Sequence, residues 1–322
     1  DEAVHAGARR YLFCTVVLGG AATSMNALLS HLIRSQGYAV HASVGVAMGG
    51  LINIALDPLF MFVILRPGEE IVGAALATGF SPFVSILVLS THLRRPARGF
   101  HAVRTRLRVG RVPALCAPGL SSLIGEIASG VVLLLFNLVL LRLAGNTGVA
   151  AYGVVANLAL VGIAIFTGLC TGMQPLVSRS SGTNDREQLR RLFRWSTVTA
   201  LAIAAVLYAS VFVFAEPLTA AFNSEHDPQL AEYAVGGLRI YFAGFLCAGF
   251  NMVAAAFFSA SDKTMQGFII SLLRGVIVVP LVLFPLAWLL GVNGVWMTFP
   301  MVELVTAVAA LVWVRRFIVM EN

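Results

Sequence analysis

Charged residues are scarce in this sequence: they make up 11% of the 322 residues, whereas hydrophobic residues make up 58%. The mean hydropathy is +0.87. A soluble domain carries about 25% charged residues, so this composition cannot provide a polar surface for a core of that size. It excludes a soluble globular protein and predicts an all-α polytopic membrane protein.

Cysteines and catalytic motifs are equally sparse. The four cysteines lie far apart in apolar segments and the six histidines are scattered, so neither a disulfide framework nor a metal cluster is expected. The sequence contains no H-E-x-x-H, no G-x-S-x-G and no Walker-type glycine loop. We therefore predict a protein that is not an enzyme and holds no cofactor. Its energy source would be an ion gradient.

Nine apolar segments follow one another along the chain, each long enough to cross the roughly 30 Å hydrocarbon core as a helix. Polar or charged clusters separate them, and some connections are so short that neighbouring helices must be antiparallel. The nine segments cover residues 11–33, 40–65, 71–93, 113–143, 148–178, 195–222, 232–260, 264–290 and 292–314.

The distribution of Lys and Arg predicts the orientation of these helices. If the loop around residues 93–112 lies in the cytoplasm, that side carries 16 basic residues and the opposite side four. Cytoplasmic loops are enriched in Lys and Arg. We therefore predict a multi-pass protein of the cell membrane, inner or plasma, with a cytoplasmic C-terminus. The net charge of +7 follows from topology, so the expected partner is the lipid bilayer and not nucleic acid.

An internal repeat relates the first three segments to the last three. Asn26 matches Asn251 at an offset of 225 residues. After a small gap, GAALAT at 73–78 matches GVWMTF at 294–299 at an offset of 221. The middle three segments have no partner in this chain. We therefore expect a twelve-helix parent protein whose first three helices precede the present sequence, since transporters are commonly built from two repeated halves.

The repeat predicts three regions. Residues 1–95 would form a partial N-terminal lobe of three helices, residues 96–112 a basic cytoplasmic loop between lobes, and residues 113–322 a complete C-terminal lobe of six helices.

Three stretches of the sequence contain motifs of a known family. NIALDPLFMFV at 53–63, followed by GAALAT, resembles the fifth and sixth helices of the multidrug and toxic compound extrusion (MATE) transporters. The stretch at 145–182, GNTGVAAYGVVANLALVGIAIFTGLCTGMQPLVSRSSG, resembles the connection between its seventh and eighth helices and the eighth helix itself. GVNGVWMTFPMVELVTAV at 291–308 resembles the twelfth. The resemblance runs from the fourth family helix to the last.

The resemblance implies two six-helix lobes around a central cleft that export bulky organic cations in exchange for H+ or Na+. We expect a monomer for the full-length protein. An alternative is a lipid-linked saccharide flippase of the same superfamily, but such a protein should carry several basic residues in its cleft, and only Arg239 and Arg274 are candidates here. A membrane scaffold without transport is disfavoured by the carboxylates within the spans.

Glu126 is the first candidate for ion coupling. One helix face contains residues at spacings of three or four, namely Ser122, Glu126, Ser129, Leu133 and Asn137. An acidic residue inside a membrane is costly and is functional by default. The resemblance places Glu126 on the seventh family helix, where several branches carry an acid that couples cations. It implies a second acid on the tenth helix, but residues 236–260 contain none. Glu126 would bind a proton or Na+; a static structural ion pair is the alternative.

Arg274 and Glu303 are two further ionisable residues expected at similar depth. They would join Glu126 in a charge network in which one carboxylate is incompletely compensated and exchanges a proton or Na+. The alternative, which carries equal weight, is that Arg274 and Glu303 satisfy each other.

Asp57 precedes Pro58, which removes a backbone donor and kinks the helix. A kink beside an acid suits an ion site, and the resemblance implies that the acid of this DP motif belongs to a network in the N-terminal lobe. The alternative is a capping role for Asp57 at the broken turn.

Four polar residues are candidates for contact with substrate in the cleft, with helix packing as the competing explanation. They are Asn137, Tyr152, Asn157 and Gln174.

Overall fold

The structure, a computed structural model, describes residues 2–65, 68–92, 110, 112–261 and 263–319. The described residues form helices joined by short turns. In chain order the α-helices are α1 (Glu2–Leu12), α2 (Gly20–Ser35), α3 (Ala39–Pro58), α4 (Glu70–Ser90), α5 (Val112–Gly182), α6 (Arg186–Val213), α7 (Ala215–Phe222), α8 (Pro228–Tyr241), α9 (Phe245–Ala260), α10 (Thr264–Leu272), α11 (Val278–Leu290) and α12 (Val292–Val319). π-Helical turns at Phe13–Gly19, Leu59–Ile64 and Leu273–Ile277 and a 3₁₀ turn at Phe242–Gly244 continue neighbouring helices.

Eight continuous helical stretches of the described chain are long and apolar enough to cross a membrane. One of them, Ser129–Gly182, has 54 residues, which at about 1.5 Å per residue is more than twice the length needed for one crossing. Gly145 interrupts it with φ 62° and ψ −153°, a conformation essentially restricted to glycine.

The chain reverses direction at Gly145. The rings of Phe136 and Tyr152 stack with their centroids 5.2 Å apart, although sixteen residues of straight helix would separate them by about 24 Å. Residues 129–182 therefore make two antiparallel passes. The described part of the chain thus contains nine passes, as the sequence predicted.

The chain divides into two compact units, Asp1–Leu107 and Arg108–Asn322. The described part of the first unit contains α1 to α4. Its small core consists of Leu29 and Ile33 of α2, Ala42 of α3 and Leu89 of α4. Of the predicted loop at 96–112, only residues 110 and 112 are described.

The second unit contains α5 to α12 around a larger core that is rich in aromatic residues. Aspartates begin two of its helices: Asp185 accepts a hydrogen bond from Gln188 N at 3.0 Å, and Asp227 accepts one from Gln229 N at 2.8 Å. Such N-caps satisfy backbone donors that have no partner within the helix. They account for the polar breaks before α6 and α8.

Equivalent close contacts occur at the predicted repeat positions of the two units. A Cβ added to Gly19 would lie 2.8 Å from Gly79 Cα, and one added to Gly244 would lie 3.0 Å from Pro300 Cα. Gly244 follows Gly19 by 225 residues and Pro300 follows Gly79 by 221, the two offsets found in the sequence. Within each repeat, therefore, two helical segments come close together, and the place of contact is the same in both repeats.

Candidate functional site

A charged pair lies inside the second unit. Arg274 donates from Nε to Glu303 Oε1 at 2.9 Å and from Nη2 to the same oxygen at 2.7 Å, and Nε is also 3.0 Å from Oε2. The Glu303 side chain is 2% exposed and that of Arg274 is 22% exposed. The structure thus shows that these two residues satisfy each other, one of the two alternatives left open by the sequence.

Asn251 of α9 completes this polar cluster. Its Nδ2 donates to Glu303 Oε2 at 2.7 Å and to the backbone oxygen of Glu303 at 2.8 Å. Because both partners are acceptors, the amide orientation is fixed by its contacts. Asn251 Oδ1 is buried and has no hydrogen-bond donor among the described residues. The same is true of Oδ1 of Asn26, the repeat equivalent of Asn251 in the first unit.

The cluster joins three helical passes near the middle of their length. Arg274 lies ten residues after the start of α10, Glu303 eleven after the start of α12, and Asn251 nine before the end of α9. Each is therefore roughly 15 Å from a helix end, about half the hydrocarbon thickness. Arg274 lies in the π-helical turn Leu273–Ile277, and such turns are frequent at functional sites.

Aromatic rings pack beside this cluster. Tyr241 stacks on Phe299 with centroids 4.3 Å apart and an interplanar angle of 7°, and Phe245 lies 5.3 Å from the Phe299 ring. Phe299 lies one helical turn before Glu303 on α12, and the Glu303 side chain is 2% exposed. A broken Arg274–Glu303 pair would therefore leave a charge in a medium of low polarity.

Glu126 lies on the first pass of α5 and is exposed. It has no hydrogen bond or ion pair with another described residue. On the same predicted face, Ser129 is exposed and Asn137 is half-buried. The side chain of Ser122 lies outside the described ones. The amide of Asn137 donates to Leu133 O at 2.9 Å. Glu126 is therefore not joined to the Arg274–Glu303 pair, so the three-residue network expected from the sequence is not formed in this structure.

Asp57 lies at the end of α3, where the π-helical turn Leu59–Ile64 begins. It is half-buried and has no hydrogen-bond or ion-pair partner among the described residues. Asn53, one helical turn earlier, has a buried Nδ2 with no acceptor in the described part of the chain. Asn53 is not among the sites predicted from the sequence, although its spacing of four residues from Asp57 places both on one face.

The other predicted cleft residues occupy varied positions. Tyr152 is buried between Phe136 and Trp296, with ring centroids 5.2 and 6.3 Å away, so its ring packs in the core of the second unit. Asn157 is exposed, and its amide donates to Gly153 O at 2.8 Å. Gln174 is half-buried. No group of three or more potential metal ligands occurs in the described part of the chain.

The nine apolar passes, together with buried polar residues at mid-depth, define a multi-pass, all-α membrane protein. A family model described as MatE matches residues 122–284, which is half of the chain. The chain belongs to the MATE family, whose members are transporters and not enzymes.

Two relatives align with most of this chain. The chain is 26% identical over 299 residues to the FAD transporter of Shewanella oneidensis, covering 88% of this chain and 63% of the relative. It is 25% identical over 286 residues to the multidrug export protein MepA of Staphylococcus saprophyticus, covering 88% of this chain and 62% of the relative. The chain thus spans less than two thirds of the length of these relatives.

Solved structures share the fold. An outward-facing multidrug resistance MATE family transporter of the MOP superfamily matches 97% of this chain and 70% of its own, with a TM-score of 0.88 and 21% identity. A MOP superfamily transporter from Pyrococcus furiosus, whose binding pocket is described as having reversed polarity, matches the same shares with a TM-score of 0.85 and 21% identity.

Proposed function

We propose that the protein is a cation-coupled antiporter that exports organic cations and drugs by alternating access of two lobes. Membership in the MATE family and the relative named MepA support the reaction class. The choice of ion-coupling residues rests on one contrast between carboxylates. Glu303 is bound by Arg274 and Asn251. Glu126 and Asp57 have no such partner among the described residues.

The contrast separates structural from coupling carboxylates. A coupling group must be able to change its charge during the cycle. The carboxylate of Glu303 is instead committed to a buried ion pair, and loss of its charge would leave the Arg274 guanidinium without a counter-ion. We therefore assign Arg274 and Glu303 a structural role. Glu126 and Asp57 remain the coupling candidates, with H+ or Na+ as the coupling ion. Either carboxylate would bind Na+ together with neighbouring oxygens.

In the proposed cycle, H+ or Na+ entering from outside neutralises Glu126 or Asp57. The lost charge changes local helix packing and weakens the attraction for a cationic substrate, which leaves outward. Release of the ion inward then resets the protein. Asn137, Asn157 and Gln174 remain candidates for substrate contact, and the location in the cell membrane with a cytoplasmic C-terminus belongs to the same proposal.

A second class of substrate merits a direct comparison because one relative is named a FAD transporter. FAD combines aromatic rings with a negatively charged pyrophosphate, so it would require positive charge at the binding site. Arg274 is already paired with Glu303, and Arg239, the other basic candidate, pairs with Glu216 at 3.2 Å. The pairing of both arginines favours organic cations over FAD, and it also weakens the flippase alternative, which requires basic residues for a pyrophosphate.

Transport by the full-length protein in proteoliposomes tests this proposal. Uptake of a fluorescent organic cation would be followed under an imposed H+ or Na+ gradient, with FAD and a lipid-linked pyrophosphate as competing substrates. We expect gradient-driven uptake of the cation and no competition by the other two. Uptake of FAD without uptake of the cation would contradict organic cations as the substrate class and indicate FAD instead. Transfer of the lipid without uptake of either compound would favour a flippase.

A further inference from the structure

A basic depression lies on the second unit, outside the cluster at mid-depth. It has a volume of about 330 Å³ and is formed by the first three turns of α6. Its lining residues are Glu187, Arg190, Arg191, Arg194 and Trp195. We call this feature the arginine depression.

The charges of the arginine depression do not cancel. Glu187 pairs with Arg191 at 3.3 Å, and both side chains are well exposed. Arg194 is exposed and has no hydrogen-bond or ion-pair partner among the described residues. Arg190 has an interaction of its own within the protein, so Arg194 is the guanidinium that leaves the site positive. A planar guanidinium suits bidentate binding of phosphate.

Trp195 locates this positive site at the edge of the membrane. Its side chain is 65% exposed, and α6 is one of the helices long and apolar enough to span a bilayer. Tryptophan is enriched at the level of lipid headgroups, where the indole contacts both water and hydrocarbon. A phosphate in the arginine depression would therefore lie at headgroup depth.

An apolar track continues from Trp195 along the same face of α6. Val198, Ala202 and Val206 follow at spacings of three and four residues and are exposed. Ala202 and Val206 line an apolar groove of about 380 Å³ to which Ile165 of α5 also contributes. Ala202 lies about 12 Å along the helix from Arg194, within the roughly 15 Å depth of one leaflet.

We propose that the arginine depression binds the headgroup of an anionic phospholipid, with an acyl chain lying along Trp195 and Val198 toward the groove at Ala202. The three features occur in the order of a lipid molecule: phosphate partners, an interfacial indole, then an apolar groove. A basic loop that serves topology alone requires neither the indole nor the groove. This site is separate from the carboxylates proposed for ion coupling.

The experiment measures lipid contact with the full-length protein purified in detergent. Phosphatidylglycerol with brominated acyl chains would be titrated in, and quenching of tryptophan fluorescence would report lipid beside Trp195. Brominated phosphatidylcholine gives the zwitterionic comparison. Trp195→Phe identifies the signal of this indole, and Arg194→Gln removes one phosphate partner. Arg316→Gln is the matched control, because Arg316 is likewise exposed and basic but lies near the end of α12.

We expect phosphatidylglycerol to quench at lower concentration than phosphatidylcholine and Trp195→Phe to remove that difference. Arg194→Gln should weaken the apparent affinity about fivefold, the effect expected for one basic residue near a charged headgroup, while Arg316→Gln should leave it unchanged. Equal loss in both arginine variants would overturn the proposal in favour of general surface charge. Displacement of the lipid signal by inorganic phosphate alone would overturn it in favour of a free-phosphate site. Unfolding temperature in phosphatidylcholine verifies that each variant is folded.

Discussion

Arg274 and Glu303 form a bidentate ion pair at the middle of two membrane passes, with the shortest contact 2.7 Å between Nη2 and Oε1. Asn251 donates to the second carboxylate oxygen at 2.7 Å. The pair joins the helix containing Arg274 to α12 and, through Asn251, to α9. It therefore stabilises the packing of these three passes, and removing one partner would leave the other as a buried charge.

The first prediction concerns this pair. Glu303→Gln should destabilise the protein by roughly 3–5 kcal/mol, because the Arg274 guanidinium loses its counter-ion in an apolar setting. The double variant Arg274→Met with Glu303→Leu should recover most of that stability, since well-packed apolar residues often replace a buried pair at little cost. Thermal unfolding in detergent measures both.

A surface pair provides the control for this prediction. Glu216 contacts Arg239 at 3.2 Å, but its side chain is 75% exposed, so Glu216→Gln should cost less than about 1 kcal/mol. A Glu303→Gln variant as stable as Glu216→Gln would contradict the structural role of the buried pair.

The second prediction concerns Asp57. Asp57→Asn should lower export of an organic cation more than it lowers the amount of protein in the membrane, because the amide cannot exchange a proton and holds Na+ weakly. Transport per folded molecule is the measurement. Glu225→Gln is the control, since Glu225 is exposed in the turn between α7 and α8. Equal losses of export and abundance in Asp57→Asn would instead indicate a capping role.

The third prediction concerns the close approach of helices in the first unit. Gly19→Ala should destabilise the protein by roughly 1–3 kcal/mol, the usual cost of overpacking, because the added Cβ would fall 2.8 Å from the Gly79 backbone. Gly20→Ala adds the same atom to the adjacent residue, where no heavy atom lies within 4 Å. The two unfolding temperatures should differ by several degrees, and indistinguishable temperatures would argue against the close contact.

The fourth prediction concerns the reversal at Gly145. Gly145→Ala should cost roughly 1–3 kcal/mol, because alanine does not readily adopt the positive φ required there. Gly153→Ala, within the following helix and with no heavy atom within 4 Å of the added Cβ, should be neutral or slightly stabilising. Thermal unfolding of the two variants under one condition checks this. A neutral Gly145→Ala would mean that another residue makes the reversal.

The features predicted correctly from sequence are those that depend on neighbouring residues. The nine passes follow from runs of apolar residues, and the break at 145–148 follows from Gly145, Asn146 and their neighbours. The repeat stays a prediction of the same local kind, because it rests on Asn26 and Asn251 lying in similar local stretches.

Contacts between helices were harder to predict. Asn251 and Glu303 are separated by 52 residues, and no local pattern indicates that α9 and α12 bring them together. A similar depth in the membrane predicts a network of Glu126, Arg274 and Glu303, but depth does not determine which helix faces point toward one another. Asn53 was visible at a spacing of four from Asp57 and could have been found from the helix period alone.

The most direct test of the proposed function is the effect of Glu126→Gln on gradient-driven uptake. Wild type and variant would be reconstituted at equal amounts of folded full-length protein, and uptake of a fluorescent organic cation would be measured with an H+ gradient, with a Na+ gradient and with neither. We expect one gradient to drive uptake by wild type and to have no effect on Glu126→Gln. Unchanged gradient-driven uptake by the variant would contradict a coupling role for Glu126 and would leave Asp57 as the coupling candidate.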